Sequence, residues 1–182
     1  MKDLGPASSY LGIRIPRDRN TCAIWIDQQA YIENALKRFE LQDANSTKTP
    51  LPAGIHLEKS EEPVTLDTKT FYQQIIRTLI YAAIGTRPNI TFVATRLSRF
   101  NNNPMQEHIK YAKYILWYLK GTKEFKIKYN GDSDAGLIGY SDSDWGENRD
   151  DHHSTSGHVF LMANATIFWA SQQQKTVALS VG

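Results

Sequence analysis

Lysines and acids are concentrated in two neighbouring segments of the sequence. Residues 108–129 carry six lysines against one acid, and these are Lys110, Lys113, Lys120, Lys123, Lys126 and Lys128. Residues 132–151 carry seven acids against one base. A basic segment of this kind could bind a polyanion such as nucleic acid, and the acidic segment suggests a second surface with a different partner. The alternative is that both are solvated faces, because charged residues usually lie on protein surfaces.

Two short groups of acids and histidines hold side chains that ligate metals in proteins. Asp142 and Asp144 lie two residues apart, so on a regular strand they would share a face. Their residue types alone favour a strand-end turn, in which Asp is common. His152 and His153 follow two aspartates and suggest a metal cluster. Adjacent side chains on an extended chain point apart, however, which favours a solvated loop.

Three tyrosines recur among the lysines at nearly helical spacing, and these are Tyr111, Tyr114 and Tyr118. Aromatic rings on a lysine-bearing helix can stack on nucleic-acid bases. The more common use of such a stripe is in a core, because aromatic side chains bury a large area. The spacing alone leaves both interpretations open.

The composition limits the class of protein. The chain has 182 residues, of which 41% are apolar and 22% charged, as in soluble globular domains. No segment approaches the ~18 unbroken apolar residues of a membrane helix, and residues 1–6 form no apolar signal segment. The single cysteine, Cys22, excludes an internal disulfide framework. We therefore expect an intracellular protein, in the cytoplasm or nucleus, with no membrane partner.

The elements at the N-terminus are predicted from turn residues and spacing. Residues 10–15 and 21–26 read as the two strands of a β-hairpin around a turn at 16–20. Asp27 stands where an N-cap would lie, and the spacing predicts a helix over 28–41. Residues 43–68 contain three prolines and few periodic apolar positions, so they are predicted to be a linker.

A helical region and then a β-rich region follow. Apolar spacing predicts a buried helix over 71–85, a break with Pro88 at the first helical position, and a further helix to Phe100. The next helix spans 105–120, with Ile109, Ala112, Leu116 and Leu119 on one stripe and Gly121 as its C-terminal cap. From Phe125 the period changes to two, which predicts strands over 125–129, 137–141, 157–162 and 166–170.

A series of short motifs runs along the chain in one order. They are Lys2-Asp-Leu-Gly-Pro6, Tyr10-Leu-Gly-Ile13, Thr49-Pro-Leu51, Leu79-Ile-Tyr81, Thr86-Arg-Pro-Asn-Ile90, Leu97-Ser-Arg-Phe100, Pro104, His108, Tyr118-Leu-Lys-Gly-Thr122, Gly139-Tyr-Ser-Asp-Ser-Asp-Trp145, Ser154-Thr-Ser-Gly157 and Trp169. In this order they resemble the Pol polyprotein of copia-type LTR retrotransposons, between the polymerase palm and the early ribonuclease H domain. The resemblance covers essentially the whole chain.

The resemblance implies an α+β fold with four segments. Residues 1–42 would form a hairpin like the primer grip and a first thumb helix, and residues 43–68 a linker. Residues 69–122 would form a helical thumb and connection region. Residues 123–182 would form an incomplete ribonuclease H-like β-sheet. Because covering helices are missing from that sheet, one of its apolar faces is expected to stay uncovered and its amides to be poorly protected.

The resemblance also implies nucleic-acid contacts. Tyr10, Leu11 and Gly12 resemble the primer-grip turn, where Gly permits close backbone approach, although an ordinary hairpin Gly is the alternative. The best candidates for phosphate contacts are Lys110, Lys113, Lys120 and Lys123. Such contacts would be independent of base sequence and sensitive to salt. The implied partner is an RNA/DNA hybrid or template–primer duplex, bound weakly, with the remainder of Pol as a second partner.

Catalysis by the parent enzyme would use Mg²⁺ ions held by several carboxylates. Asp142 matches the first ribonuclease H carboxylate, whereas the match gives Asp144 no role. The Y-x-D-D turn of the polymerase is absent from the sequence, as is the "STEAEY" helix expected after Ser180. We therefore expect an incomplete magnesium site and no cleavage or polymerisation by this chain alone. Arg77 stands where the family prefers glycine, which puts packing around it in question.

The predicted function is that of a fragment of a reverse transcriptase/ribonuclease H whose parent performs RNA-directed DNA synthesis and hybrid cleavage. Two alternatives remain open. One is a domesticated nucleic-acid-binding or interaction module. The other is a subunit completed in trans by a chain with the missing carboxylates.

Overall fold

The computed structural model describes residues 5–55, 57–59, 62–131, 136–143 and 153–175. Asp144, His152 and the residues after 175 therefore lie outside the described part. Within it the chain forms four α-helices and three antiparallel sheets. The helices are α1 Gln29–Arg38, α2 Leu66–Gly85, α3 Thr91–Ser98 and α4 Gln106–Gly121. The strands are β1 Ser9–Tyr10, β2 Ile13–Arg14, β3 Arg17–Asp18, β4 Ala23–Ile26, β5 Ile127–Asn130, β6 Ile138–Ser143, β7 Thr155–Met162 and β8 Ala165–Gln173.

The N-terminal hairpin is divided into two, which corrects the single hairpin expected over 10–15 and 21–26. Strands β1 and β2 pair with each other around a turn at Leu11 and Gly12, whose φ angles are +47° and +75°. Two successive positive φ values suit the right-handed twist of a two-residue hairpin. Strands β3 and β4 form the second pair, with Arg17 opposite Ile24.

Strand β5 joins the N-terminal sheet. It pairs antiparallel with β4, from Ala23 opposite Asn130 to Ile26 opposite Ile127, so the sheet order is β3-β4-β5. This pairing crosses the predicted segment boundary at 123. The Tyr129 hydroxyl donates to the Thr166 carbonyl at 2.9 Å, and the Asn130 amide donates to Ala163 at 3.0 Å. Strand β5 therefore also bonds to the β7–β8 hairpin.

The four helices share one core. Its members from α2 and α4 are Tyr72, Ile75, Ile76, Leu79, Ala82, Ala83, Ile109, Ala112, Ile115, Leu116 and Leu119. Helix α2 starts five residues earlier than predicted, because Thr65 caps it by accepting a hydrogen bond from the Thr68 amide at 3.2 Å. In the described part of the chain, no helix is long and apolar enough to cross a lipid bilayer.

Two predicted caps are wrong in position. The residue before α1 is Gln28, and the buried Asp27 carboxylate instead accepts from Arg14 and, at 3.3 Å, from the Gln29 amide. Gly121 is the last residue of α4, and the C-cap is Thr122. A Cβ atom on Gly121 would lie 2.9 Å from the Ser46 Cβ atom, so close approach of the 44–47 segment explains this glycine.

The break between α2 and α3 lies where it was predicted. Pro88 opens a single 3₁₀ turn over Pro88–Ile90, and α3 follows at Thr91. The missing N–H and fixed φ of proline suit this position. Across the break, the buried Tyr72 hydroxyl donates to the Leu97 carbonyl at 2.7 Å and ties α2 to α3.

The C-terminal sheet has the order β6-β7-β8. Its hairpin turn falls at Ala163 and Asn164, both with positive φ, between the strands predicted over 157–162 and 166–170. Cross-strand partners share a face, so Val159 and Trp169 lie on one face and Phe160 and Phe168 on the other. The first face meets the helices, since α3 packs on β8. Phe168 on the second face is 54% exposed, in line with the expected uncovered face.

Candidate nucleic-acid interface

The tip of the first hairpin projects from the molecule. Tyr10 and Leu11 are 67% and 69% exposed, and both precede the Gly12 turn. The Tyr81 hydroxyl, from α2, donates to the Leu11 carbonyl. A turn built on two positive φ angles thus displays an aromatic and an apolar side chain while its backbone is anchored to a helix.

The base of the hairpin is anchored by an ion pair. The Arg14 guanidinium contacts the Asp27 carboxylate through Nη2 at 3.0 Å and through Nε at 3.1 Å. Asp27 is 1% exposed, whereas about half of the Arg14 side chain is accessible. The backbones of the two residues also exchange hydrogen bonds of 2.8 Å and 3.1 Å. The orientation of the hairpin relative to the start of α1 is therefore fixed at both ends.

The predicted phosphate-contacting lysines have differing surroundings. The Lys110 ammonium lies 5.8 Å from the Tyr111 ring centroid, and that of Lys113 lies 5.3 Å from the Phe71 centroid. The Lys120 ammonium donates to the Ala44 carbonyl, which docks the linker on α4. Lys110, Lys113 and Lys120 lie on α4, away from the α2 contact made by the hairpin tip.

Lys123, the fourth of these lysines, forms an ion pair with Glu33 of α1, with 2.8 Å between Nζ and Oε1. The hydrogen bond between the two groups raises the pKa of Lys123 and lowers the pKa of Glu33. Both side chains are more than one third exposed, so solvent screens the attraction. The charge of Lys123 is therefore partly neutralised within the chain.

The tyrosine stripe of α4 makes contacts within the chain. Tyr118 is buried and its hydroxyl accepts from the Asn89 amide. The Tyr111 hydroxyl donates to Glu107 at 2.9 Å, and Tyr114 packs on Trp117 with 6.0 Å between ring centroids. Tyr118 is therefore a core residue, whereas Tyr111 and Tyr114 are half-buried.

A groove between α1 and α2 holds residues that the sequence patterns did not single out. It has a volume of about 340 Å³ and is lined by Tyr31, Arg38, Gln74, Arg77, Thr78 and Tyr81. Arg77 is exposed there, so the arginine at the expected glycine position does not disturb the core. Helical spacing in the sequence could have shown that the α1 residues share one helix face and that the α2 residues share another. The juxtaposition of the two halves depends on tertiary packing.

Asp142 is the penultimate residue of β6, opposite Gly157 of β7. Its carboxylate is exposed and accepts from the Ser143 amide at 2.9 Å. It borders a cleft of about 620 Å³ between the sheet and the α2–α3 junction, whose other walls include Phe92, Tyr140 and Trp169.

The surroundings of Asp142 do not fit a two-metal site as far as they are described. No three residues among His, Cys, Asp and Glu come together as metal ligands in the described ranges. His153 is described just before β7, whereas His152 and Asp144 are outside those ranges. Magnesium needs several oxygen ligands, and Asp142 supplies one carboxylate. The described residues therefore supply too few ligands for a two-magnesium site.

Comparison with known proteins gives long alignments to transposon polyproteins. The chain is 39% identical over 99% of its length to the retrovirus-related Pol polyprotein from transposon TNT 1-94 of Nicotiana tabacum. It is 35% identical over 97% of its length to YCL074W of Saccharomyces cerevisiae, a protein named for transposon Ty5-1. The chain spans 14% of the first relative and 57% of the second.

A third relative has a different name. Secreted RxLR effector protein 161 of Plasmopara viticola is 33% identical over 109 residues, which are 60% of this chain and 77% of that protein. No protein-family model matches the chain. No solved structure matches it significantly.

Proposed function

The chain belongs to the Pol polyprotein family of copia-type transposons, and from this premise we propose that it is the part of the reverse transcriptase that follows the polymerase palm. In this proposal residues 1–122 form a primer-grip hairpin and thumb-like helices. The sheet after them is the start of a ribonuclease H-like fold. Because the chain spans 14% of the tobacco polyprotein, DNA synthesis and hybrid cleavage are proposed for the whole polyprotein.

The proposed activity of the chain itself is binding of a template–primer duplex, as a salt-sensitive contact without base specificity. The observation that carries it is the hairpin tip, where Tyr10 and Leu11 are exposed on a turn anchored through Leu11 to α2. A rigid turn loses little conformational entropy when it binds a ligand. The exposed Lys110 on α4 supplies charge of the sign that phosphates attract.

A binding titration tests this activity. We expect the chain to bind a fluorescein-labelled RNA/DNA template–primer in an anisotropy assay, with affinity falling as salt rises from roughly 50 to 200 mM. Tyr81→Phe removes the hydroxyl that holds Leu11 and should weaken binding about fivefold, the size of one hydrogen bond. Tyr129→Phe, which removes a hydroxyl bond to Thr166 elsewhere, should bind as the unaltered chain does. Equal affinity of all three proteins would contradict a role for the tip.

We also propose that the 182-residue chain does not cleave the hybrid by itself. Asp142 would be the first carboxylate of this site, and in the described residues no group of three metal-ligating side chains includes it, so it would hold no Mg²⁺ stably. Incubation of a labelled hybrid with the chain and Mg²⁺ should leave the RNA strand intact on a denaturing gel. Magnesium-dependent cleavage that disappears in Asp142→Asn would refute this statement.

A second candidate function is that of an independent binding or interaction module. The alignment that covers 77% of a short Plasmopara viticola protein supports it, since a related segment makes up most of that protein. Sequencing the transcript that carries this reading frame separates the two candidates. Y-x-D-D coding sequence upstream supports the polyprotein, whereas unrelated flanking sequence supports the module.

A further inference from the structure

We propose that the groove between α1 and α2 binds the sugar–phosphate backbone of a nucleic-acid strand through Arg38 and Arg77. The inference rests on the proposed duplex binding and names a site for it that neither the motifs nor the lysine pattern indicated. Guanidinium groups suit this ligand because their planar donors match two phosphate oxygens at once.

Helix geometry brings the groove residues together. Gln74, Arg77, Thr78 and Tyr81 lie three or four residues apart and therefore share one face of α2. Tyr31 and Arg38 lie seven residues apart, two turns along one face of α1. Because the two faces border the same groove of about 340 Å³, both guanidinium groups are directed at a common space.

The two arginines are free to take an anion. Both are exposed, and no acid is among the described residues that line the groove. In the residues that the structure describes, neither guanidinium makes a hydrogen bond or an ion pair, whereas Arg14 is paired with Asp27 and Lys123 with Glu33. Two cations that line one groove repel each other, and a phosphate bound between them would relieve that repulsion.

The aromatic walls of the groove are held in place. The Tyr31 and Tyr81 rings lie 4.7 Å apart between centroids, at 54° to each other. The Tyr31 hydroxyl donates to the Thr78 carbonyl at 3.4 Å, and the Tyr81 hydroxyl donates to Leu11. Burial raises the pKa of Tyr31, which keeps that hydroxyl protonated at neutral pH. The walls therefore need little rearrangement when a strand enters.

The groove continues into the hairpin tip. Tyr81 lines the groove and also holds the Leu11 carbonyl, so one side chain belongs to both surfaces. A strand whose end lies at the tip would run along the groove and meet both arginines. This continuity favours a polymeric phosphate ligand over a small anion.

Charge-removing variants in the anisotropy assay test the site. Arg38→Gln and Arg77→Gln should each weaken binding of the labelled hybrid about tenfold, as expected for loss of a charged hydrogen bond. Each should also reduce the slope of log affinity against log salt by about one, the value for one lost phosphate contact. Arg19→Gln, which removes the same charge from the exposed β3–β4 turn, should leave affinity and slope near those of the unaltered chain. Arg77→Lys should restore the slope but less of the affinity, because an ammonium lacks the planar fork.

The results of this assay distinguish failure of the groove site from failure of the proposed duplex binding. Unchanged affinity and slope in both groove variants, with hybrid still bound by the unaltered chain, would overturn the groove and leave the proposed duplex binding in place. Absence of any hybrid binding by the unaltered chain would overturn both. Displacement of the hybrid by micromolar inorganic tripolyphosphate would show a small-anion site instead and would also overturn the assignment. Thermal unfolding followed by circular dichroism verifies that the Gln variants are folded.

Discussion

At the scale of single residues, the motif residues at the α2–α3 junction hydrogen-bond to neighbouring helices. The Thr86 hydroxyl donates to Gln28 at 2.9 Å, the Arg87 guanidinium donates to the Thr122 carbonyl, and the Asn89 amide donates to Tyr118. Burial lowers the pKa of Arg87, yet a guanidinium remains charged at neutral pH. Its charge faces the carbonyl end of α4, where a cation is favourable. The Thr-Arg-Pro-Asn motif therefore joins α2 to α1 and α4.

His108 is a second motif residue with a packing role. Its ring is fully buried and stacks on Phe100 with 3.9 Å between centroids at 21°. Its Nδ1 accepts from the Met105 amide at 3.0 Å, which satisfies one free donor at the start of α4. The geometry requires a neutral imidazole at Nδ1, as a capping group rather than a catalytic base.

We predict that His108→Phe destabilises the chain by about 1 kcal/mol, the typical cost of a lost helix cap. The phenyl ring keeps the stacking on Phe100 but leaves the Met105 amide without its acceptor. Urea unfolding measures the change. His158→Phe, the same substitution on the partly exposed face of β7, should change the free energy of unfolding by less than about 0.5 kcal/mol. Equal shifts in the two variants would contradict the cap.

At the scale of elements, α4 could be predicted within one residue and α3 within three, because their apolar stripes repeat at helical spacing. The start of α2 could not, since it depends on one Thr65 side chain in a segment rich in turn residues. The division of the first hairpin was also missed. Its signal is a Leu-Gly pair, a weaker turn signal than Asn-Gly.

The contact of the linker with α4 gives a prediction at this scale. Gly121→Ala should destabilise the chain by about 1 kcal/mol despite the better helix propensity of alanine, because its Cβ would lie 2.9 Å from the Ser46 Cβ atom. In a Ser46→Gly background the same substitution should stabilise, since the opposing Cβ is gone. A double-mutant cycle by urea unfolding measures the coupling. A stabilising effect in both backgrounds would show that the linker does not press on α4.

At the scale of the whole molecule, the pairings between distant segments could not be predicted from local patterns. The β4–β5 ladder joins residues about a hundred positions apart. Alternation of apolar and polar residues within a strand does not determine which other strand it pairs with. The same holds for the groove of Arg38 and Arg77, since each residue is simply exposed on its own helix. Tyr10, Leu11 and Gly12 lie at a turn, which the resemblance implied and the strand predicted over 10–15 did not.

Trp169 connects the C-terminal sheet to the helices. Its indole Nε1 donates to the Ala83 carbonyl in the last turn of α2 at 2.9 Å. That carbonyl is one of the four that an α-helix leaves without an internal partner. The Arg99 guanidinium donates to Gln173 at 3.1 Å and adds a second link. These two bonds attach the described part of the sheet to α2 and to the residue after α3.

We therefore predict that hydrogen exchange in β7 and β8 is faster than in α4, and that Trp169→Phe increases it further. Loss of one indole bond should accelerate exchange in these strands about fivefold while leaving α4 unchanged. Trp25→Phe, the same change in β4, should not accelerate exchange in β7 and β8. Equal acceleration in α4 and in β7 would show that the sheet and the helices open as one unit.

The ladder between β4 and β5 has a consequence for folding during synthesis on the ribosome. Everything from α1 to α4 lies between the two strands in the sequence, so β4 emerges from the ribosome long before its partner. At about 5–20 residues per second the wait is on the order of ten seconds. The helices, whose contacts are nearer in sequence, have time to pack during that interval. Strand β5 therefore joins β4 after the four helices have been synthesised and before the strands β6, β7 and β8 of the C-terminal sheet have been.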